Sequence, residues 1–163
     1  MSEIVMPPRD QFLREETIRG GMDLLFLSNT RHLRHADDTL AALGLGRAHH
    51  RIMYFVARQP GINVTALLAI LGITKQSFGR VAKQLIAKGL MEQHTGDRDR
   101  RQRLLKLTPE GEKLEKAIFD NLHDNVARAY KAAGGEAVAG LWVVLQHLMG
   151  EEARVQFRAV QGL

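Results

Sequence analysis

The chain has 163 residues, with 23 Lys plus Arg against 18 Asp plus Glu, a net charge of +5 with histidine neutral, and 45% hydrophobic residues. That length and composition suit one domain, or a domain with a modest extension, around a packed core, and exclude a disordered tail. The absence of cysteine excludes a disulfide scaffold, a thiolate zinc site, a catalytic thiol and a cysteine redox switch.

The N-terminal stretch MSEIVMPPRD is polar and proline-broken where a secretory signal would be apolar. No apolar run approaches the ~18 residues of a membrane span. A cytoplasmic protein without membrane contact is therefore expected. One long helix is predicted over residues 10–43, because Ile18, Met22, Leu25, Leu33, Ala36, Leu40 and Leu43 recur at spacings of three, four or their multiples. Gly20 and Gly21 weaken its start, and Gly44 and Gly46 end it. A second helix over 47–58 buries Ile52, Met53, Phe55 and Val56 and closes at Pro60-Gly61.

Asn63 is a good N-cap for a short helix over 65–71 that stops at Gly72. Thr74 then caps a helix reaching 87, with Phe78, Val81, Ala82, Leu85 and Ile86 as its buried stripe and Gly89 as its stop. Two helices joined by a tight Gly-containing turn form a helix-turn-helix. After Gly89 the period changes from helical to alternating: residues 90–94 and 103–107 read as strands of a hairpin whose tip is the polar run 95–102. Thr108-Pro109-Glu110-Gly111 restarts helix with an N-cap, a proline in the first turn and an acid beside it. Leu114, Ile118, Leu122, Val126 and Tyr130 share one face of that helix. Gly134-Gly135 then separates it from a last helix with Val138, Leu141, Leu145, Leu148 and Val155 in a heptad-like row.

The excess charge is concentrated in one place. Residues 73–108 hold nine basic and three acidic side chains, or +6 in 36 residues, while the other 127 sum to −1. A helix-turn-helix followed at once by a basic hairpin is a winged helix, whose second helix enters the major groove of duplex DNA by its N-terminal turns. The exposed face of that helix carries Thr74, Lys75, Gln76, Ser77, Arg80 and Lys83. Gln76 has the geometry to pair with adenine and Arg80 with guanine, whereas Lys75 and Lys83 suit phosphates. Gly79 removes a side chain from this surface. The hairpin tip concentrates Arg98, Arg100 and Arg101, with Asp97 or Asp99 expected to orient an arginine by a forked ion pair. An inserted arginine is favoured in a narrow minor groove. Alone, such a charge run reads as a solvated turn; downstream of a helix-turn-helix, DNA contact is the favoured reading.

The chain resembles the MarR family of bacterial transcription regulators. The resemblance is carried by Ile73-Thr74-Lys75-Gln76-Ser77, by Leu85-Ile86-Ala87-Lys88-Gly89-Leu90, and most specifically by Asp99-Arg100-Arg101 ahead of Leu107-Thr108-Pro109-Glu110-Gly111. It implies a mainly α fold: a winged-helix DNA-binding lobe over 47–108 with a small β-hairpin wing, and long terminal helices, 10–43 and 109–160, that intertwine into a homodimer within a single domain over 1–163. It further implies a regulator, expected to be a repressor, that reads a pseudopalindrome in double-stranded DNA. Where Lys83 stands many members carry an aspartate, so an ion pair from that position to a wing arginine is not available to this chain.

The family also implies a crevice for a small aromatic or anionic effector near Arg31, His35, His50 and Arg51. Arg51 suits a carboxylate there, and equally an ordinary salt bridge. His32, His35 and Asp38, with His49-His50, have spacings compatible with zinc. No later histidine pair completes a ligand set, so polar histidines are the favoured reading and no metal or cofactor is expected. Trp142, Phe119 and Tyr130 lie on or beside apolar stripes and read as packing residues. Nucleotide-binding, zinc-protease and serine-hydrolase motifs are absent, so an enzyme is not expected. The reading of a different class is a winged-helix protein-interaction module that binds no DNA; Gln76, Ser77 and Arg80 on the helix tip suit bases better.

Overall fold

The expected succession of helices and hairpin is present in the computed structural model, which describes residues 4–8, 10–96 and 100–162. The chain divides into two units, Met1–His35 and Ala36–Leu163. In the first unit the long predicted helix starts late and stops early. Turns occupy the segment before it: Gln11 donates its N–H to the Pro8 carbonyl, and the Gln11 carbonyl accepts Arg14 N–H at 3.1 Å and Thr17 Oγ1 at 3.0 Å. Helix α1 therefore spans Glu15–His32. It ends at Leu33, where sequence periodicity predicts continuous helix to residue 43. The Ser28 and Thr30 hydroxyls bond back to the Leu25 and Phe26 carbonyls, a pattern that bends helices and that apolar spacing does not register. None of its residues is buried, and Ile18, Met22, Leu24, Leu25, Phe26 and Leu27 are all exposed.

Helix α2 (Arg34–Ala41) crosses the division and buries Ala36 and Leu40. Helix α3 (Arg47–Arg58) follows, and Arg47 forks onto Asp37, with Nε 2.8 Å from Oδ1 and Nη2 2.6 Å from Oδ2. Arg47 thereby holds the Asp37 carboxyl below its usual value. Within α3, Ile52, Met53 and Val56 are buried as expected, with Phe55 half-buried beside them. Asn63 caps α4 (Val64–Leu71), its Oδ1 accepting Ala66 N–H at 2.8 Å. Gly72, at φ +63°, supplies the left-handed turn that a side chain would oppose. Thr74 caps α5 (Lys75–Ala87) by accepting Ser77 N–H at 3.2 Å. Phe78, Ala82 and Leu85 of α5 are buried and Val81 is half-buried. Ile86, predicted as core, is 42% exposed because it lies past the edge of that stripe.

The sheet has three strands, one more than the expected hairpin. Strands β2 (Met91–Thr95) and β3 (Arg103–Leu107) pair antiparallel with Gln93 opposite Leu105. The added strand β1 (Ile62–Asn63) lies on the other edge of β3, with Ile62 opposite Leu105 and Asn63 opposite Leu104. Two residues are too few to show an alternation, so β1 leaves no periodic trace in the sequence. One apolar core joins these elements, with Leu40, Ile52, Met53, Val56, Leu67, Leu85, Met91 and Leu105 as its large fully buried side chains. Each contributes about 1.5–3 kcal/mol relative to exposure.

Thr108 caps α6 (Pro109–Ala133) by accepting Gly111 N–H at 3.1 Å. Its Oγ1 also donates to the Gly89 carbonyl at 2.6 Å, which fixes the helix against the end of α5. Only Gly111 and Ile118 of α6 are buried. The last predicted helix is two: α7 (Gly135–Leu148) and α8 (Gly150–Gln161), separated where Gly150 takes φ +76°. The heptad-like row runs across that break, which is why spacing alone does not reveal it. Neither helix has a buried residue; Leu141, Trp142, Val143, Val144 and Leu148 are exposed, and Trp142 packs edge-on against Phe157. No helix among the described residues is long and apolar enough to cross a membrane.

Candidate nucleic-acid interface

The polar face of α5 is displayed as the sequence predicts. Thr74, Lys75, Gln76, Ser77, Arg80 and Lys83 are all exposed, while the opposite side of the helix anchors it through Phe78, Ala82 and Leu85. Thr74 is engaged locally, because its Oγ1 serves as the cap and also donates to Ser77 Oγ at 3.1 Å. That leaves Lys75, Gln76, Arg80 and Lys83 as the long, projecting side chains. The N-terminal end of α5 also presents backbone N–H groups and the positive end of the helix dipole, which favour a phosphate.

The wing meets this helix across a groove of about 820 Å³ between α4, the first turns of α5 and the hairpin. Lys75, Phe78 and Gly79 line one side and Gln93, Arg101 and Arg103 the other. Lys75 and Arg101, predicted independently as phosphate and wing contacts, thus share one cleft. Arg100 and Arg101 are exposed; Arg98, with Asp97 and Asp99 and the ion pair expected of them, lies outside the described residues.

Arg103 is a residue that the sequence reading placed in a strand without a function. Its Nη1 donates to Thr95 Oγ1 across the hairpin at 3.3 Å and to the Arg100 carbonyl at 3.1 Å, bracing the turn that carries the wing arginines. The signal that identifies it is the pairing register, in which Arg103 faces Thr95.

The four effector candidates are dispersed in character. Arg31 sits in the last turn of α1 and His35 follows it in α2, both exposed and both within the first unit. In the second unit His50 is buried, its ring 6.3 Å from the Tyr54 ring in an edge arrangement. Arg51 is exposed, and its Nη2 donates to the Leu71 carbonyl at 3.1 Å, placing a cation at the C-terminal end of α4. The groove beside α5 is lined by none of the four. Among the described residues, no group of three or more His, Cys, Asp or Glu converges as a metal would require.

Residues 43–102 match the model of the MarR family. The chain is 39% identical over 150 residues to the HTH-type transcriptional regulator PetP of Rhodobacter capsulatus, covering 92% of this chain and 90% of that protein. Two solved structures share the fold. NadR in complex with 4-hydroxyphenylacetate superposes with a TM-score of 0.68 at 22% identity, over 88% of this chain and 97% of that one. A mutant MarR from E. coli complexed with operator DNA superposes with a TM-score of 0.64 at 22% identity, over 85% and 99%.

Proposed function

The chain belongs to the MarR family of transcriptional regulators, and from that premise we propose that it is a cytoplasmic homodimeric repressor binding pseudopalindromic duplex DNA. The observation that carries this reading is the groove that Lys75, at the start of α5, shares with the wing arginine Arg101. In each lobe α5 enters the major groove, Gln76 and Arg80 read base edges, and Lys75 and Lys83 grip phosphates. Arg100 and Arg101 follow the wing towards the adjacent minor groove, where a narrow A·T-rich segment concentrates negative potential.

Dimerisation is supported by the exposed large apolar side chains that α1 and, separately, α7 leave for a partner to cover. Two recognition helices about 34–36 Å apart fit successive major grooves. A small aromatic or anionic effector that binds better to a dimer of the wrong spacing releases the DNA by that difference in affinity. NadR, bound to 4-hydroxyphenylacetate, motivates the chemical class.

The test is selection of duplexes from genomic fragments, followed by titration of the selected site across salt concentrations. Recovery of a two-fold-symmetric site, with affinity falling steeply as salt rises, is expected because neutralised phosphates release counterions. Binding without sequence preference, or affinity flat in salt, refutes the DNA-reading assignment. Sedimentation of the free protein as a monomer at micromolar concentration refutes the dimer.

A further inference from the structure

We propose that His49 is a positioning residue for the recognition helix, setting through its neutral Nε2–H tautomer the rotation at which α5 faces DNA. The role rests on the DNA-binding reading above. His49 lies in the first turn of α3, half-buried, and makes two hydrogen bonds of different origin. Its Nδ1 accepts the Gly46 N–H at 3.0 Å, closing the N-terminus of its own helix. Its Nε2 stands 2.6 Å from Oε1 of Gln84, 35 residues away on α5.

These two contacts determine the state of the ring. A backbone N–H only donates, so Nδ1 must present its lone pair to Gly46, and the single proton of the neutral imidazole is then on Nε2. That proton in turn requires an acceptor, so the Gln84 amide presents its oxygen rather than its nitrogen. A ring protonated on both nitrogens turns Nδ1–H against the Gly46 N–H and loses the first bond. The bridge therefore belongs to one tautomer only.

The mechanical consequence lies in what apolar packing leaves undetermined. Phe78, Ala82 and Leu85 press α5 onto the core, but apolar burial is non-directional and tolerates a small rotation about the helix axis. Gln84 stands one helical turn beyond Arg80, on the same row of side chains. A directional bond at Gln84 thus fixes the azimuth at which Arg80 meets a base edge, where alignment carries the discrimination.

The experiment uses the full chain and two duplexes, one selected from random-sequence DNA by the wild-type protein and a scrambled control of equal length. Gln84→Ala and His49→Asn are compared with wild type. The asparagine oxygen still accepts the Gly46 N–H but does not reach Gln84, so His49→Asn separates helix capping from positioning. Both variants are expected to melt within a few degrees of wild type, as loss of one hydrogen bond allows, and to lose about tenfold in preference for the selected duplex, with scrambled-duplex affinity unchanged. The double variant loses no more than either alone, because both remove the same bond. In parallel, 15N-histidine correlation spectra at pH 8 assign His49 by its disappearance in His49→Asn and are expected to show the Nε2–H tautomer. A His49→Asn protein that discriminates like wild type, or a spectrum showing Nδ1–H, overturns the proposal while leaving DNA binding intact. A wild-type protein that selects no sequence overturns the DNA reading, and this role with it.

Discussion

Gly111→Ala is the substitution for which the fold dictates the sign most clearly. In an exposed helix interior, replacing glycine by alanine stabilises by roughly 0.5–1 kcal/mol. At Gly111 the new Cβ would lie 1.9 Å from the Leu90 carbonyl oxygen and 2.8 Å from its carbon. That carbonyl is not free to withdraw: it accepts the Thr108 N–H at 3.2 Å, and the Leu90 N–H is itself bound to the Leu85 carbonyl at 3.0 Å. Relief of the clash displaces the start of α6 from the end of α5, straining a packed joint by about 1–3 kcal/mol and weakening a backbone hydrogen bond worth about 1 kcal/mol. After the propensity gain, a net loss of about 2 kcal/mol remains, lowering the melting temperature by about 4–8 °C at fixed protein concentration. The control is Gly79→Ala in mid-α5, where no atom lies within 4 Å of the new Cβ. That variant should melt slightly above wild type. If Gly111→Ala matches or exceeds wild-type stability in thermal and urea unfolding, the reasoning from close backbone approach is wrong.

Arg80→Ala should weaken binding to the selected duplex and relax preference at one base step, whereas Arg100→Ala with Arg101→Ala should weaken binding to all sequences and flatten the salt slope; electrophoretic titration on a panel of single-base variants separates the two. Asn63→Ala removes the α4 cap and should reduce unfolding free energy by about 1 kcal/mol in urea denaturation. Arg47 holds the Asp37 carboxyl low, so the ionised form stabilises the fold above the ordinary carboxylate range and that contribution is lost as the pH falls through the lowered value. Asp37→Asn is therefore less stable than wild type at pH 7, and acid unfolding curves should converge as the pH drops well below about 4. Glu115 has the opposite sign, since burial and then the nearby Asp120 push its carboxyl up, and Glu115→Gln should gain stability relative to wild type as the pH rises from the ordinary carboxylate range through the raised value.

The legible parts of the fold are those determined locally. Asn63, Thr74 and Thr108 are caps by residue type and position, and each makes the expected bond to an N–H three residues on. The polar face of α5 was likewise readable, since burial of Phe78, Ala82 and Leu85 leaves Gln76 and Arg80 outward. What escaped the sequence depends on partners distant in the chain. Strand β1 exists only because β3 offers an edge to Ile62 and Asn63, and the His49–Gln84 bond joins residues no local pattern relates. The breaks at Leu33 and Gly150 were hidden by apolar rows that run on across them. Ile86 misled because one stripe can be drawn a residue too wide.

The strand β1 also makes Asn63 answerable to two structures at once: it stands opposite Leu104 in the sheet that extends into the wing, and its side chain caps α4 of the helix pair. On the DNA-binding reading proposed above, a wing tilted by a wider or narrower minor groove would bear through Asn63 on the cap of α4, the first helix of the helix-turn-helix. Base changes under the wing and base changes under the recognition helix should consequently fail to add in binding free energy, so that an operator's flanking A·T content alters how strictly its central bases are read.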